Sequence, residues 1–376
     1  MSTHSTLKKE GIEIIKKLDT MQVNTIAINV ASKLCLAFPE HNLNKSELFE
    51  SLSRLNMFIA KMPLDSSGAK YFYKDNSIYF NEDTNLEELS EMAMHECIHF
   101  IQELRDSNNN LIKMGLYNPS SNTGLAINEA SVQLMASEAN MKDLESETYF
   151  GIYINTISPN YYPLECSLLN QIAYFTGTYP LFHSTLNSND VFKNTFTLKT
   201  DKKTYSKILK YFDDLLSLEN NLNYYSTELQ FTNKISSINV LNNLISKTKI
   251  QIKNLFFKTQ NLIMVKCFKN EFNNIRNIDD VKEFTSRLYN YKNIIGFSDG
   301  YTFYNEFYRN MMNVIEEKKS YIEKYGEINL FENISNELIL VDNTKNALSL
   351  ISTFITKIKK LIGLNKSSQQ DINNWQ

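Results

Sequence analysis

Hydrophobic and polar positions alternate along the chain with two different periods, and the change of period divides it. From 12 to 38 the apolar spacing predicts a helix or a helix pair, and Asn44-Lys45-Ser46-Glu47 opens another helix with Ser46 as its cap. Residues 55–61 turn strand-like, and 69–73 and 77–80 read as two strands around an Asp75-Asn76 turn. A loop over 81–84 leads into a strong helix over about 85–104. Thr84 or Asn85 would cap it, and Glu87, Glu88 and Glu91 suit its positive N-terminal end. After a loop holding Pro119 and Gly124, a second such helix is predicted over about 125–143. A third starts at Pro163 and stops at Gly177, the usual proline-start, glycine-stop asymmetry.

All six prolines lie before residue 181, so the second half reads as long, uninterrupted helices. Tyr205, Ile208, Leu209, Phe212, Leu215 and Leu216 mark one amphipathic helix. Ile238, Leu241, Ile245, Ile252 and Leu255 keep a near-heptad spacing on another, and Leu348, Ile351, Phe354, Ile355, Ile358 and Leu361 mark a last one. These stripes read as the core of a helical bundle, with a partner-docking surface as the alternative. The shift in composition puts a domain boundary near residue 195. Beyond Gly363 the chain turns polar, and 364–376 is expected to be a disordered tail.

Composition narrows the function classes. With 376 residues, 42% of them hydrophobic, the chain can build a sizeable core. Its 39 Lys plus Arg against 42 Asp plus Glu leave a net charge of -3, which gives no footing for a nucleic-acid partner. Cys35, Cys97, Cys166 and Cys267 are scattered without C-x-x-C spacing, as expected of free thiols in a reducing compartment. Cys97 is expected to pack inward rather than to ligate. The N-terminus lacks the apolar stretch of a secretory signal, and no run approaches the ~18 apolar residues of a membrane span. A cytoplasmic protein without a membrane partner is the expectation, with non-classical release left open. No phosphate-binding loop, dinucleotide fingerprint or serine-hydrolase elbow occurs.

The chemistry is concentrated in His95-Glu96-Cys97-Ile98-His99. Four residues apart on a helix, the two histidines lie ~40° apart on its surface, one turn above the other. That spacing lets both imidazoles meet one Zn²⁺ at ~2.0–2.1 Å. Glu96 flanks the same point without chelating it well, where a carboxylate can take a proton from water as a general base. With five histidines in the whole chain, a chance H-E-x-x-H is expected on the order of 0.005 times.

A catalytic zinc usually takes a third protein ligand. The longer pattern with a third histidine is not met, because Gln102 and Arg105 stand where its glycine and histidine would be. His4, His41 and His183 are poorly placed. A carboxylate on a following helix is the natural substitute. Glu129 sits among Ala126, Ile127, Ala130, Val132 and Leu134, where an unpaired glutamate would be costly to bury. Glu129 is the expected third ligand and Glu138 the second candidate. Two neutral imidazoles and one carboxylate would leave the site at net +1, favouring an ionised water near neutral pH.

A H-E-x-x-H motif followed at a distance by a helical glutamate resembles the gluzincin branch of the zincin metallopeptidases. More narrowly, the chain is similar to a group of zincin-like proteins common in clostridia and their relatives. The residues that carry this are Ala60-Lys61-Met62-Pro63, Ser77-Ile78-Tyr79-Phe80-Asn81-Glu82, 95–102, Gly124-Leu125-Ala126-Ile127-Asn128-Glu129-Ala130 and Tyr162-Pro163-Leu164-Glu165, so it spans roughly 45–185. It implies an α+β fold, a zincin-like zinc peptidase domain with a small sheet and active-site helices, which the composition boundary places in 1–195; the helical bundle expected over 196–363 lies outside the resemblance. It also implies that an extended peptide or protein substrate lies along the strand at 77–80, and that hydrolysis uses Glu96 as general base. No settled substrate comes with it.

Such a site needs a donor for the developing oxyanion. Tyr161, Tyr162, Tyr174 and His183 are candidates, with Tyr162 first because it precedes the Pro163 helix. Asn128 could support a ligand. Two rival functions remain open: a zincin-like binding protein that uses the metal for structure and the helical domain for a partner, and a narrow-specificity protease toxin or effector.

Overall fold

The computed structural model describes residue 7 and residues 9–63, 68–83, 86–296 and 302–326. His4, the Thr84 or Asn85 cap, the side chains of Glu87, Glu88 and Glu91, the stripe at 348–361 and the tail at 364–376 lie outside the described residues. The fold is mixed α and β with small sheets, and among the described residues every element after Thr156 is helical. The chain forms two compact units, 1–261 and 262–376. The division therefore falls later than the expected boundary near 195, because helices beyond 195 belong to the core of the first unit.

The first unit opens with β1 (Glu13–Lys17) and α1 (Thr20–Ala37). The expected helix over 12–38 is thus cut short. Asp19 accepts from the Gln22 N–H, Gln22 returns the contact to the Asp19 N–H, and this capping box fixes the helix start. Residues 13–17 instead pair antiparallel with β2 (Asn56–Lys61). In α2 (Lys45–Leu52) the cap is Asn44 rather than Ser46, with its Oδ1 accepting from the Ser46 and Glu47 N–H groups.

The sheet is completed by β3 (Ala69–Phe72) and β4 (Ser77–Asn81), in the order β1-β2-β4-β3. The β2–β4 pairing is parallel and the β3–β4 pairing antiparallel. The strand at 77–80 is therefore interior, with both its edges already paired, and cannot align an extended ligand. Of the two edge strands, β1 and β3, it is β3 that packs against α3 (Leu86–Ile101). Phe72, Tyr79, Ala60, Met62, Leu7 and Ile12 fill the core on one face of the sheet.

Two short hairpins follow that sequence patterning does not announce: β5 (Glu103–Arg105) with β6 (Leu111–Met114), and β7 (Glu145–Tyr149) with β8 (Ile152–Thr156). Between them runs α4 (Leu125–Ala139), which ends at Asn140 rather than at 143 and buries 12 of its 15 residues. That burial makes it the central helix of the unit, packed against α1, α3 and the later helices α5 (Pro163–Thr176), α6 (Thr178–Asn187) and α8 (Lys202–Phe231). The short α7 (Val191–Lys199) lies between α6 and α8 in the chain. Gly124 caps α4 at φ 81°, and a Cβ there would meet the Leu116 carbonyl oxygen at 2.8 Å, so only glycine fits. Asp213 of α8 completes the cap: its carboxylate accepts from the Gly124 N–H at 2.9 Å and the Ala126 N–H at 3.0 Å. The stripe at 205–216 is core, with Ile208, Phe212 and Leu215 fully buried.

The long helix α9 (Ile235–Asn274) runs through the division of the units. In the second unit its final turns join α10 (Ile278–Ile294) and α11 (Thr302–Tyr325). Phe268 lies at the centre, edge-on to Tyr291 at 5.3 Å and to Phe284 at 5.8 Å between ring centroids. No helix among the described residues is long and apolar enough to cross a membrane.

Candidate metal centre

In helix α3, Ala93, Met94, Cys97 and Ile98 face the core, as expected for Cys97. His95, Glu96 and His99 are also buried, at 6%, 8% and 6% exposure, but they face a cleft. Across it, α4 presents Glu129. The three pairwise distances are 3.1 Å between the His95 and His99 Nε2 atoms, 3.2 Å from His95 Nε2 to Glu129 Oε2, and 3.4 Å from His99 Nε2 to that oxygen.

A tetrahedral zinc with bonds of ~2.0–2.1 Å sets its ligand atoms about 3.3 Å apart. The triangle fits that spacing without rearrangement. His95, His99 and Glu129 thus form a buried group able to hold a metal ion. Glu138, the second candidate, is excluded from it: nine residues on, it lies on the opposite, exposed side of α4.

The outer partners of the ligands also suit a cation. The Gln133 Oε1 atom lies 2.9 Å from His95 Nδ1, one turn beyond Glu129 on the same helix. Accepting the proton there leaves the Nε2 lone pair aimed at the common point. The Gln102 side chain lies 2.7 Å from His99 Nδ1 through its amide nitrogen, while its own Oε1 is buried without a partner. A half-turn of that amide, whose two ends are nearly isosteric, lets Oε1 accept from His99 Nδ1 and removes the orphan. Both imidazoles then offer Nε2. Periodicity could have found both glutamines, since they sit at i+4 from Glu129 and i+3 from His99.

Burial by itself would raise the Glu129 carboxyl, yet the His99 and His95 imidazoles outweigh it and hold the group well below the usual carboxylate range. Burial also disfavours a charged His99, but Glu129 and Glu96 push its pKa upward. Glu96 is raised by burial, with His95 and His99 opposing.

Glu96 has one further anchor: its Oε2 accepts from the Tyr71 N–H of edge strand β3 at 2.7 Å. The Tyr71 hydroxyl donates to Glu103 Oε1 at 3.0 Å, and Glu103 is held by Arg105 Nε at 2.8 Å. The edge strand is in this way tied to the motif helix and its following hairpin. Nothing in the sequence near the motif announces Tyr71, because the contact is made through its backbone.

Tyr162 is brought to the site and the other oxyanion candidates fare differently. At φ 49° it heads α5, its ring stacks on His95 at 6.1 Å, and its hydroxyl meets the Glu129 carboxylate. Burial, then Glu129 and Glu96, raise its pKa well above the ordinary tyrosine value, so the hydroxyl keeps its proton as a donor. Tyr161 also lines the cleft, while Tyr174 and His183 do not. His183 stacks instead on His41 and Tyr179. Asn128 is fully buried, but its Oδ1 accepts from the Leu116 N–H at 2.9 Å, so it fixes the loop ahead of α4 rather than a ligand.

The cleft has a volume of about 770 Å³, within the usual range of ligand sites. The edge strand forms one wall and Tyr149, Phe150 and Tyr161 another. Compared with protein-family models, curated proteins and solved structures, the chain matches none.

Proposed function

We propose that the chain is a zinc-dependent peptidase of the gluzincin type, with the metal held by His95, His99 and Glu129. The observation that carries the reading is the coincidence of a zinc-sized ligand triangle with a carboxylate, Glu96, that lines the same cleft. Two imidazoles, one carboxylate and room for a further ligand form a donor set suited to catalytic zinc. Zinc there supplies Lewis acidity, enough to bring the ionisation of water near neutral pH and to polarise a peptide carbonyl.

The protein's own groups would divide the remaining work. Glu96, held by the Tyr71 N–H, takes the proton of the attacking water on one carboxylate oxygen and delivers it to the departing amine. Tyr162 donates to the carbonyl oxygen as negative charge builds on it. The substrate would lie along β3, the edge beside the motif helix, rather than along the interior strand. A zincin fold, in which such an edge strand borders the motif helix, is part of the same proposal.

Metal content tests the site and turnover tests the chemistry. Protein purified without a histidine tag should hold about one zinc per chain. Glu129→Ala should lose it and Glu138→Ala should keep it. Glu96→Gln should retain the zinc and lose about 10²–10⁴-fold in cleavage rate. Equal cleavage by Glu96→Gln and the parent would overturn the mechanism.

A further inference from the structure

The wall of the cleft supplied by α8 carries a second acidic feature that the hydrolytic chemistry does not use. Leu216, Glu219, Asn220 and Asn223 line this wall, in the same cleft as His95 and Glu129. Behind Glu219 stands Glu165, in the first turn of α5 and fully buried. Neither Glu165 oxygen has a well-formed hydrogen bond, and the carboxyl abuts that of Glu219. Neither carboxyl has a Lys, Arg or His ion-pair partner among the described residues.

Two carboxyls forced together under burial are costly unless a cation or a shared proton compensates them. Burial raises both, and Glu165 raises Glu219 further. Glu165 follows Tyr162 by three residues, and its charge is felt at the Tyr162 hydroxyl. The pair therefore lies beside the reacting centre rather than at the far end of the cleft.

Resting on the peptidase reading, we propose that Glu219, backed by Glu165, forms a subsite for the ammonium or guanidinium group of a lysine or arginine residue next to the scissile bond. A hard divalent cation wants roughly six to eight oxygens, and one accessible carboxyl with two asparagine amides falls well short. An organic cation needs only a few acceptors, and its arrival would give the two abutting carboxyls the positive partner they lack. The apolar Leu216 side chain and the Tyr161 ring offer surface for the aliphatic stem.

Binding to the zinc-loaded full chain, with Glu96→Gln to prevent turnover, tests this by fluorescence polarisation. The probes are a labelled, internally blocked peptide with a single arginine, the same peptide with citrulline, and a peptide with a free amino terminus and no basic residue. The arginine peptide should bind about 10- to 100-fold more tightly than its citrulline twin. Adding Glu219→Gln should bring that ratio close to unity, while Glu219→Asp, which keeps the charge and reports on folding, should retain part of it. Glu165→Gln should also lower the ratio. Equal binding of arginine and citrulline peptides, or an unchanged ratio in a folded Glu219→Gln chain, overturns the proposal. Preference for the free amino terminus alone overturns the side-chain assignment. Cleavage by the parent is scored separately. Charge-selective binding without cleavage supports the subsite and overturns the peptidase reading; cleavage without charge selectivity does the reverse.

Discussion

The helix pair α3 and α4 and the helical unit around Phe268 both bury their facing surfaces, but they put different chemistry inside. Between α3 and α4 the buried positions include His95, Glu96, His99, Gln102, Asn128, Ser131, Gln133 and Ser137. His95 and His99 meet Glu129, and Gln133 and Gln102 meet the two imidazoles, so these groups converge on one point. Around Phe268 the interior is aromatic and aliphatic, and its one fully buried charge-bearing side chain among the described residues is Lys318. Lys318 Nζ donates to the Phe272 carbonyl oxygen at 2.7 Å and lies 4.5 Å from the Phe272 ring centroid. The lesson is that a buried polar group stabilises a fold when it is satisfied locally, and makes a site when its satisfaction is incomplete without a ligand.

That contrast can be broken by substitution. The largest expected effect is in the aromatic unit: Phe268→Ala should cost about 3–5 kcal/mol of stability, read by denaturant unfolding, because it empties the centre of a packed core. A loss below about 1 kcal/mol would mean that the packing there is not what holds the unit together. Between α3 and α4 the effect should appear in binding instead. Gln133→Leu should weaken zinc about 10- to 100-fold in a chelator competition while shifting the unfolding midpoint little. The opposite pattern, a lower midpoint with unchanged affinity, would make Gln133 a core residue like any other.

The most gradual effect is a pH dependence. Burial, then Arg276, push Lys318 down to about 7, against about 10.4 for an unfolded lysine. Between those values the unfolded chain binds more protons, so stability rises with pH from about 7 towards about 10 and is lost below that window. The rise should be about 1 kcal/mol per pH unit in the parent. Lys318→Met should flatten it, and the Phe272 carbonyl would keep its bond from the Ile275 N–H at 3.3 Å. An identical slope in the variant would place the titration elsewhere.

How much of this could be seen in the sequence depended on range. The ligands were legible because helical spacing fixes which side His95 and His99 share, and because Glu129 stands alone in an apolar stretch. The strands at 55–61, 69–73 and 77–80 are legible from their apolar content, but their order is not, so the resemblance puts the substrate along a strand that the sheet encloses. Strand β1 stayed hidden because all five of its residues are exposed and carry no alternation against a core. The hairpin at 145–156 hid for a similar reason, since Glu-Ser-Glu-Thr-Tyr has no apolar period. Tyr71, Glu219 and Asp213 act across long sequence separations through a backbone group or a lone carboxylate, and no local pattern marks such partners.

The Asp213 cap also sets an order of events in the life of the chain. All three candidate ligands lie within the first 129 residues, yet the helix bearing the third one starts on a carboxylate 87 residues beyond Ala126. At roughly 5–20 residues per second of synthesis, that carboxylate follows about 4–17 s later. During this interval a nascent chain has its ligands but not the brace for α4. The bracing of α4 is then a late step, deferred until α8 has been made and has docked.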